Sequence, residues 1–186
     1  ADCKIFIIDD EEEILQSLAL LLNSYRYKVE IFQNIDQFLE AKNYKGAGCI
    51  LLDVFLGGKT GLELQEVIET KFDSLPIIFI TGQGNIPMSV EAMKKGALNF
   101  LQKPIDEKEL LNAIDEAFNR SNALIIKQNE IDKFKSLVNS LTAREYEIFR
   151  YVITGTLNKQ IASELGIAEH TVKNHRLSIT EKLGVK

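Results

Sequence analysis

The sequence contains no tryptophan and only two methionines, two histidines, two cysteines and three prolines among 186 residues. Cys3 and Cys49 are too few for a disulfide framework, and both sit in apolar, strand-like runs where a small buried thiol is the ordinary case. Three prolines and eleven glycines form no low-complexity stretch, and with 45% hydrophobic residues disorder is excluded for most of the length. Apolar runs stay far short of the ~18 residues that span a bilayer, the longest being pieces such as Leu18 to Leu22. The start also lacks a basic segment followed by an apolar one, so a cytoplasmic chain with no membrane partner is expected. The length exceeds one average domain of roughly 100 to 150 residues, which suggests a full domain and a small one.

Charge is unevenly spread. Residues 1–118 hold 11 basic and 20 acidic side chains, residues 119–136 hold 4 and 2, and residues 137–186 hold 7 and 5. An acidic front repels nucleic acid and attracts metal ions, whereas a mildly basic tail can approach phosphates.

Short β-rich apolar runs recur at Ile5 to Ile8, Val29 to Phe32, Cys49 to Leu52, Ile77 to Ile80 and Leu98 to Leu101. Amphipathic stretches lie between them, such as Ile14, Leu18, Leu21 and Leu22, then Leu62, Leu64, Val67 and Ile68. Near-continuous apolar strands alternating with helices predict an α/β domain over 1–118, a doubly wound five-stranded parallel sheet covered on both faces. From Asp106 through Phe118 and Lys127 to Lys135 no glycine or proline intervenes, so one long helix is predicted, with 119–136 as a helical linker. Leu124, Ile131 and Val138 fall seven apart, with Phe134 and Leu141 three residues after the second and third of them. Both a short coiled-coil seam and packing on the chain's own domains fit that spacing. Residues 137–186 read as a small all-α domain. Thr142 and Glu145 form a capping box for a helix from about Ala143, which Gly155 ends. Asn158 is placed to cap a second helix that Gly166 closes, and a third runs from about Glu169 towards Gly184.

In a parallel doubly wound sheet, ligands bind at the carboxyl ends of the strands. Those ends carry Asp9 and Asp10, Asp53, Thr81 and Lys103. Three carboxylates at one edge repel each other unless a hard divalent cation joins them, and such a site suits magnesium. Lys103 adds a fixed positive charge and Thr81 a hydroxyl, so metal, ammonium and hydroxyl could each neutralise one oxygen of a phosphoryl group. Two phosphate-loop likenesses fail. Gly58-Lys59-Thr60 ends like a P-loop, but Asp53 stands where that motif needs glycine, and Gly82-Gln83-Gly84 lacks the third glycine of a dinucleotide turn.

Asp9-Asp10, Asp53, Thr81 and Lys103-Pro104, in that order, resemble the receiver domain of two-component response regulators, over about residues 3–120. The resemblance implies a flavodoxin-like fold, a sensor histidine kinase as partner and Asp53 as the phospho-acceptor. It implies magnesium on Asp9, Asp10, Asp53 and the backbone carbonyl of Phe55, a switch pair of Thr81 and Phe100, and contact of Lys103 with the phosphoryl group. Gly57 departs from the proline usual in the family.

In the tail, two helices separated by Gly166-Ile167-Ala168 have the spacing of a helix-turn-helix. On the third helix Val172, Ile179 and Leu183 form a buried stripe flanked by Arg176, and His170, Asn174, Leu177 and Glu181 lie opposite with Lys173 beside them. Lysine and asparagine can reach base edges, and an exposed leucine can contact a thymine methyl. Lys159, Thr171 and Arg176 are better placed for phosphate. Asn158 to Ala162, Thr171 to His175 and Glu181 to Leu183 resemble the LuxR-type DNA-binding domain, and with the receiver in front the chain resembles the NarL/FixJ class of transcriptional regulators. That resemblance implies double-stranded DNA as partner and a homodimer when phosphorylated. The family has a fourth helix used for pairing on DNA, so 137–186 is expected to lack its last helix. Ala168 stands where the family often has a serine cap. Two other functions fit parts of the sequence. A phosphatase would want a second acid where Phe55 stands, so a non-enzymatic chain is expected, and a signalling module could use its tail on protein or RNA.

Overall fold

The computed structural model describes residues 3–41, 44–56, 59–82 and 86–185. The first elements are β1 (Lys4–Ile8), α1 (Glu12–Ser24), β2 (Lys28–Phe32), α2 (Ile35–Ala41) and β3 (Gly48–Asp53). There follow two-residue strands β4 (Phe55–Leu56) and β5 (Lys59–Thr60), then α3 (Gly61–Lys71), β6 (Ile77–Thr81), α4 (Ile86–Lys94), β7 (Asn99–Gln102) and α5 (Glu107–Asn139). The tail is α6 (Ala143–Val152), α7 (Asn158–Leu165) and α8 (Glu169–Leu183).

Five strands form one parallel sheet in the order β2-β1-β3-β6-β7. Side chains alternate across it, which explains why the strands are apolar throughout. Phe6, Ile8, Ile50, Leu52 and Phe79 pack on one face with Ile35, Phe38, Leu62 and Ile68 from α2 and α3. Ile5, Ile7, Cys49, Leu51 and Ile78 pack on the other with Leu15 and Leu18 of α1 and Leu110 and Ile114 of α5. Strands β4 and β5 form a small antiparallel pair, Phe55 opposite Thr60, which no periodicity in so short a segment announces. Gly57, Gly58 and Gln83 to Asn85, which carry the proline departure and parts of both glycine motifs, lie outside the described residues.

Helix α5 buries Leu110, Ala113, Ile114, Ala117 and Ser121 at three- and four-residue spacing. The Ser121 hydroxyl donates to the Ser74 carbonyl at 2.6 Å and accepts from the Gly48 N–H at 3.0 Å, fixing the helix to the start of β3. Ile131 and Phe134 are exposed, whereas Val138 and Leu141 join the core of the tail, so only part of the heptad pattern is spent on packing. Contacts divide the chain into residues 1–126 and 127–186. Among the described residues no helix is long and apolar enough to cross a membrane.

The tail core is Ile148 from α6, Ile161 and Ala162 from α7, and Val172, Ile179 and Leu183 from α8. Gly166 ends α7 at φ 63°, a left-handed conformation that a side chain would strain. Asn158 does not cap α7 as its place in the sequence suggests. Leu157, not Asn158, is the N-cap of α7, with the Gln160 side chain accepting from its N–H at 3.2 Å. The Asn158 side-chain oxygen is occupied by Arg176 Nη1 at 2.7 Å.

Candidate functional site

The chain runs from β1 outward to β2 and returns to β3 on the other side of β1, so the topological switch point lies between β1 and β3. Asp9 follows β1, Asp53 ends β3, Thr81 ends β6 and Lys103 follows β7. Asp9 and Asp53 are only 2% and 5% exposed, Thr81 is buried, and Asp10 faces solvent. Oxygens from Asp9, Asp10 and Asp53 all lie within 4.8 Å of one another. Lys103 Nζ is 2.8 Å from Asp9, 3.1 Å from Glu11 and 3.3 Å from Asp53. Backbone donors orient the two buried acids: the Glu11 N–H donates to Asp9 and the Phe55 N–H to Asp53, each at 2.9 Å. The Lys103 N–H donates to the Thr81 carbonyl at 2.7 Å, which draws the ends of β6 and β7 together.

Burial pushes the Asp53 carboxyl above its ordinary range; the Lys103 charge opposes this, the Asp9 charge adds to it, and the Phe55 N–H opposes it. Burial alone would lower the Lys103 ammonium, but its hydrogen bond to Asp9, the Asp53 charge and the hydrogen bond to Glu11 together push it up. One ammonium thus faces three carboxylates, with Asp10 a fourth acid beside them. This all-oxygen, charge-rich donor set fits a hard divalent cation.

In the tail, α8 turns Val172, Ile179 and Leu183 inward and leaves His170, Lys173, Asn174, Leu177 and Glu181 exposed. Exposed Lys159 lies in the first turn of α7, and Thr171 is half-buried. Two exposed pairs are internal to α8: Lys173 with Glu169 at 3.5 Å and Asn174 with His170 at 3.4 Å. A buried carboxylate fixes α8 to α6. Glu145 accepts from Lys182 Nζ and Ser178 Oγ, both at 2.6 Å, and from the Thr142 N–H at 2.7 Å. These partners hold Glu145 well below the usual carboxylate range, at about 2.

Comparison with known proteins agrees with both parts. Residues 5–115 match the response regulator receiver domain family, and residues 139–186 match the bacterial regulatory proteins of the luxR family. The transcriptional regulatory protein TdiR of Thauera aromatica is 40% identical over 182 residues, covering 98% of this chain and 80% of the relative. Transcriptional regulatory protein FixJ of Rhizobium meliloti (strain 1021) is 31% identical over 185 residues, covering 100% of this chain and 91% of the relative. The chain is a response regulator of the NarL/FixJ class. Solved response regulators share its fold. StyR superposes with a TM-score of 0.80 at 42% identity, covering 100% of this regulator and 94% of StyR. Full-length FixJ from B. japonicum gives 0.61 at 31% identity, covering 100% and 92%.

In the receiver domain, the structure brings Asp9, Asp10, Asp53 and Lys103 together at one edge, with Thr81 ending the neighbouring strand. Phe100 lies in β7, half-buried, its ring centroid 6.4 Å from that of Phe79. Two positions went unread in the sequence. Glu11 touches Lys103, although a third acid after Asp9-Asp10 looks like ordinary helix-start chemistry. Gly61 opens α3 so close to β3 that a Cβ would meet the Asp53 carbonyl oxygen at 2.7 Å and Phe79 at 3.1 Å. The only signal for it was a glycine after a strand end. In the LuxR-type domain, Arg176 is turned towards Asn158 on α7.

Proposed function

We propose that Asp53 is the phospho-acceptor of this response regulator and that a sensor histidine kinase is the donor. An Asp53 carboxylate oxygen attacks phosphorus, the P–N bond to the kinase imidazole breaks, and the imidazole nitrogen keeps the electron pair. The observation that carries this reading is the position of Asp53 Oδ1, 3.3 Å from the Lys103 ammonium inside a three-carboxylate cluster. Magnesium on Asp9, Asp10, Asp53 and the Phe55 carbonyl would neutralise charge on the transferring group. Lys103 can follow a phosphoryl oxygen, since it already bridges Asp9 and Asp53. Thr81 and Phe100 form the switch: a phosphoryl group draws the hydroxyl inward, and the ring turns into the vacated space.

Residues 1–118 act as receiver, 119–136 as helical linker and 137–186 as DNA reader. His170, Lys173, Asn174 and Leu177 face the bases, with Lys159, Thr171 and Arg176 at phosphates. Phosphorylation acts by preferring one of two states, and pairing into a homodimer on double-stranded DNA is the state it favours. The chain works in the cytoplasm as a regulator rather than an enzyme. The test is Asp53→Asn, which is nearly isosteric but not nucleophilic. The variant should keep the parent's circular dichroism and accept no acid-labile phosphate from a histidine kinase or acetyl phosphate. Undiminished labelling of the variant would remove Asp53 from the role.

A further inference from the structure

We infer that Leu177 reads the 5-methyl group of a thymine in the major groove. The inference rests on the reading of α8 as the helix that enters DNA, and it names what one position of that helix recognises. Among the exposed residues of α8, Leu177 is the only apolar one, at 61% exposure, and it takes no part in the tail core. It lies four residues after Lys173 and three after Asn174, so all three share one row of the helix surface. Eight residues beyond Glu169, it stands about 12 Å along the helix axis, just over two turns from the start of α8.

Its neighbours narrow the choice of ligand. Lys173 and Asn174 supply the polar groups of the same row, and their exposed partners one turn earlier, Glu169 and His170, are weak enough for DNA to displace. Glu181, exposed four residues after Leu177, disfavours phosphate at that end of the row. An isobutyl group offers neither donor nor acceptor. Thymine alone among the four bases presents a methyl group to the major groove. Burying one methyl against leucine should change affinity about fourfold.

The experiment uses the full chain, phosphorylated with acetyl phosphate, and duplexes enriched by it from a randomised DNA pool. Each thymine of an enriched site is replaced singly by uracil, which removes the methyl and leaves the hydrogen-bonding edge intact. At one thymine per half-site the parent should lose about fourfold in affinity. Leu177→Ala should bind the thymine and uracil duplexes equally there, and Leu177→Met should restore the discrimination. If Leu177→Ala remains as sensitive as the parent at every thymine, or the parent ignores every uracil, the inference about Leu177 is overturned while base reading by α8 stands. If no sequence is enriched, the reading of α8 as a base reader fails and takes the inference with it.

Discussion

Replacing Glu145 with glutamine should weaken the DNA-binding domain at neutral pH and much less in acid. The carboxylate is 4% exposed and accepts from Lys182, Ser178 and the Thr142 N–H. An amide can keep that geometry, its oxygen accepting from Lys182 and Thr142 and its NH2 donating to Ser178, so the substitution removes charge rather than shape. Glu145 titrates at about 2 when folded, against an ordinary value of 4.5. A carboxyl depressed in this way stabilises the fold above about 4.5 and loses that contribution as pH falls through about 2. The gap corresponds to about 3 kcal/mol at most. The Lys182 side chain is 35% exposed, so solvent screening reduces this to about 2 kcal/mol. Less than half of it, under about 1 kcal/mol, should remain at pH 3. Both histidines of the chain, His170 and His175, lie in α8, so their ring protons report unfolding of this domain within the intact protein. Urea titrations followed by these resonances should show a lower midpoint for Glu145→Gln at pH 7 and a smaller difference at pH 3. Equal midpoints at pH 7, or a penalty undiminished by acid, would refute the reasoning.

Asp10→Ala should abolish the calorimetric heat of magnesium binding, because a cluster of three carboxylates loses one; a titration indistinguishable from the parent's would exclude Asp10 as a ligand. Lys173→Ala and Asn174→Ala should each relax sequence preference by ~1 to 3 kcal/mol, whereas Lys159→Ala should weaken all sequences about equally. Mobility shifts on matched and mismatched duplexes separate these outcomes, and a uniform loss from all three would point to general electrostatics. Phe100→Ala should leave Asp53 labelling intact while reducing phosphorylation-dependent DNA binding; normal activation would dismiss the aromatic switch.

The sheet was legible because its strands are buried on both faces, so runs such as Ile5 to Ile8 and Ile77 to Ile80 stand out whatever their neighbours do. Asp9, Asp53, Thr81 and Lys103 were legible for a related reason, since strand ends fix where the chain can place chemistry. What escaped depends on distances between segments remote in sequence. Glu11 meets Lys103 across 92 residues, and Gly61 matters only because α3 starts against β3. The cap of α7 was misplaced by one residue because Asn158 has a strong local preference for capping, and Arg176, 18 residues away, claims its side chain. The internal face of α8 was read correctly from helical periodicity alone, as Val172, Ile179 and Leu183 are all buried.

The bonds that tie α8 to its neighbours bear on the thermodynamics of recognition. Arg176 holds it to Asn158 on α7, Ser178 and Lys182 hold it to Glu145 on α6, and three apolar residues face the core. The helix is therefore set in place before any duplex arrives. Immobilising a mobile side chain on binding costs about 0.5 to 1.5 kcal/mol, and for the residues of this framework that cost is already met in the free protein. Association of this domain with DNA should then show the small heat-capacity change of two preformed surfaces closing on each other, without the large negative value that marks a segment folding as it binds.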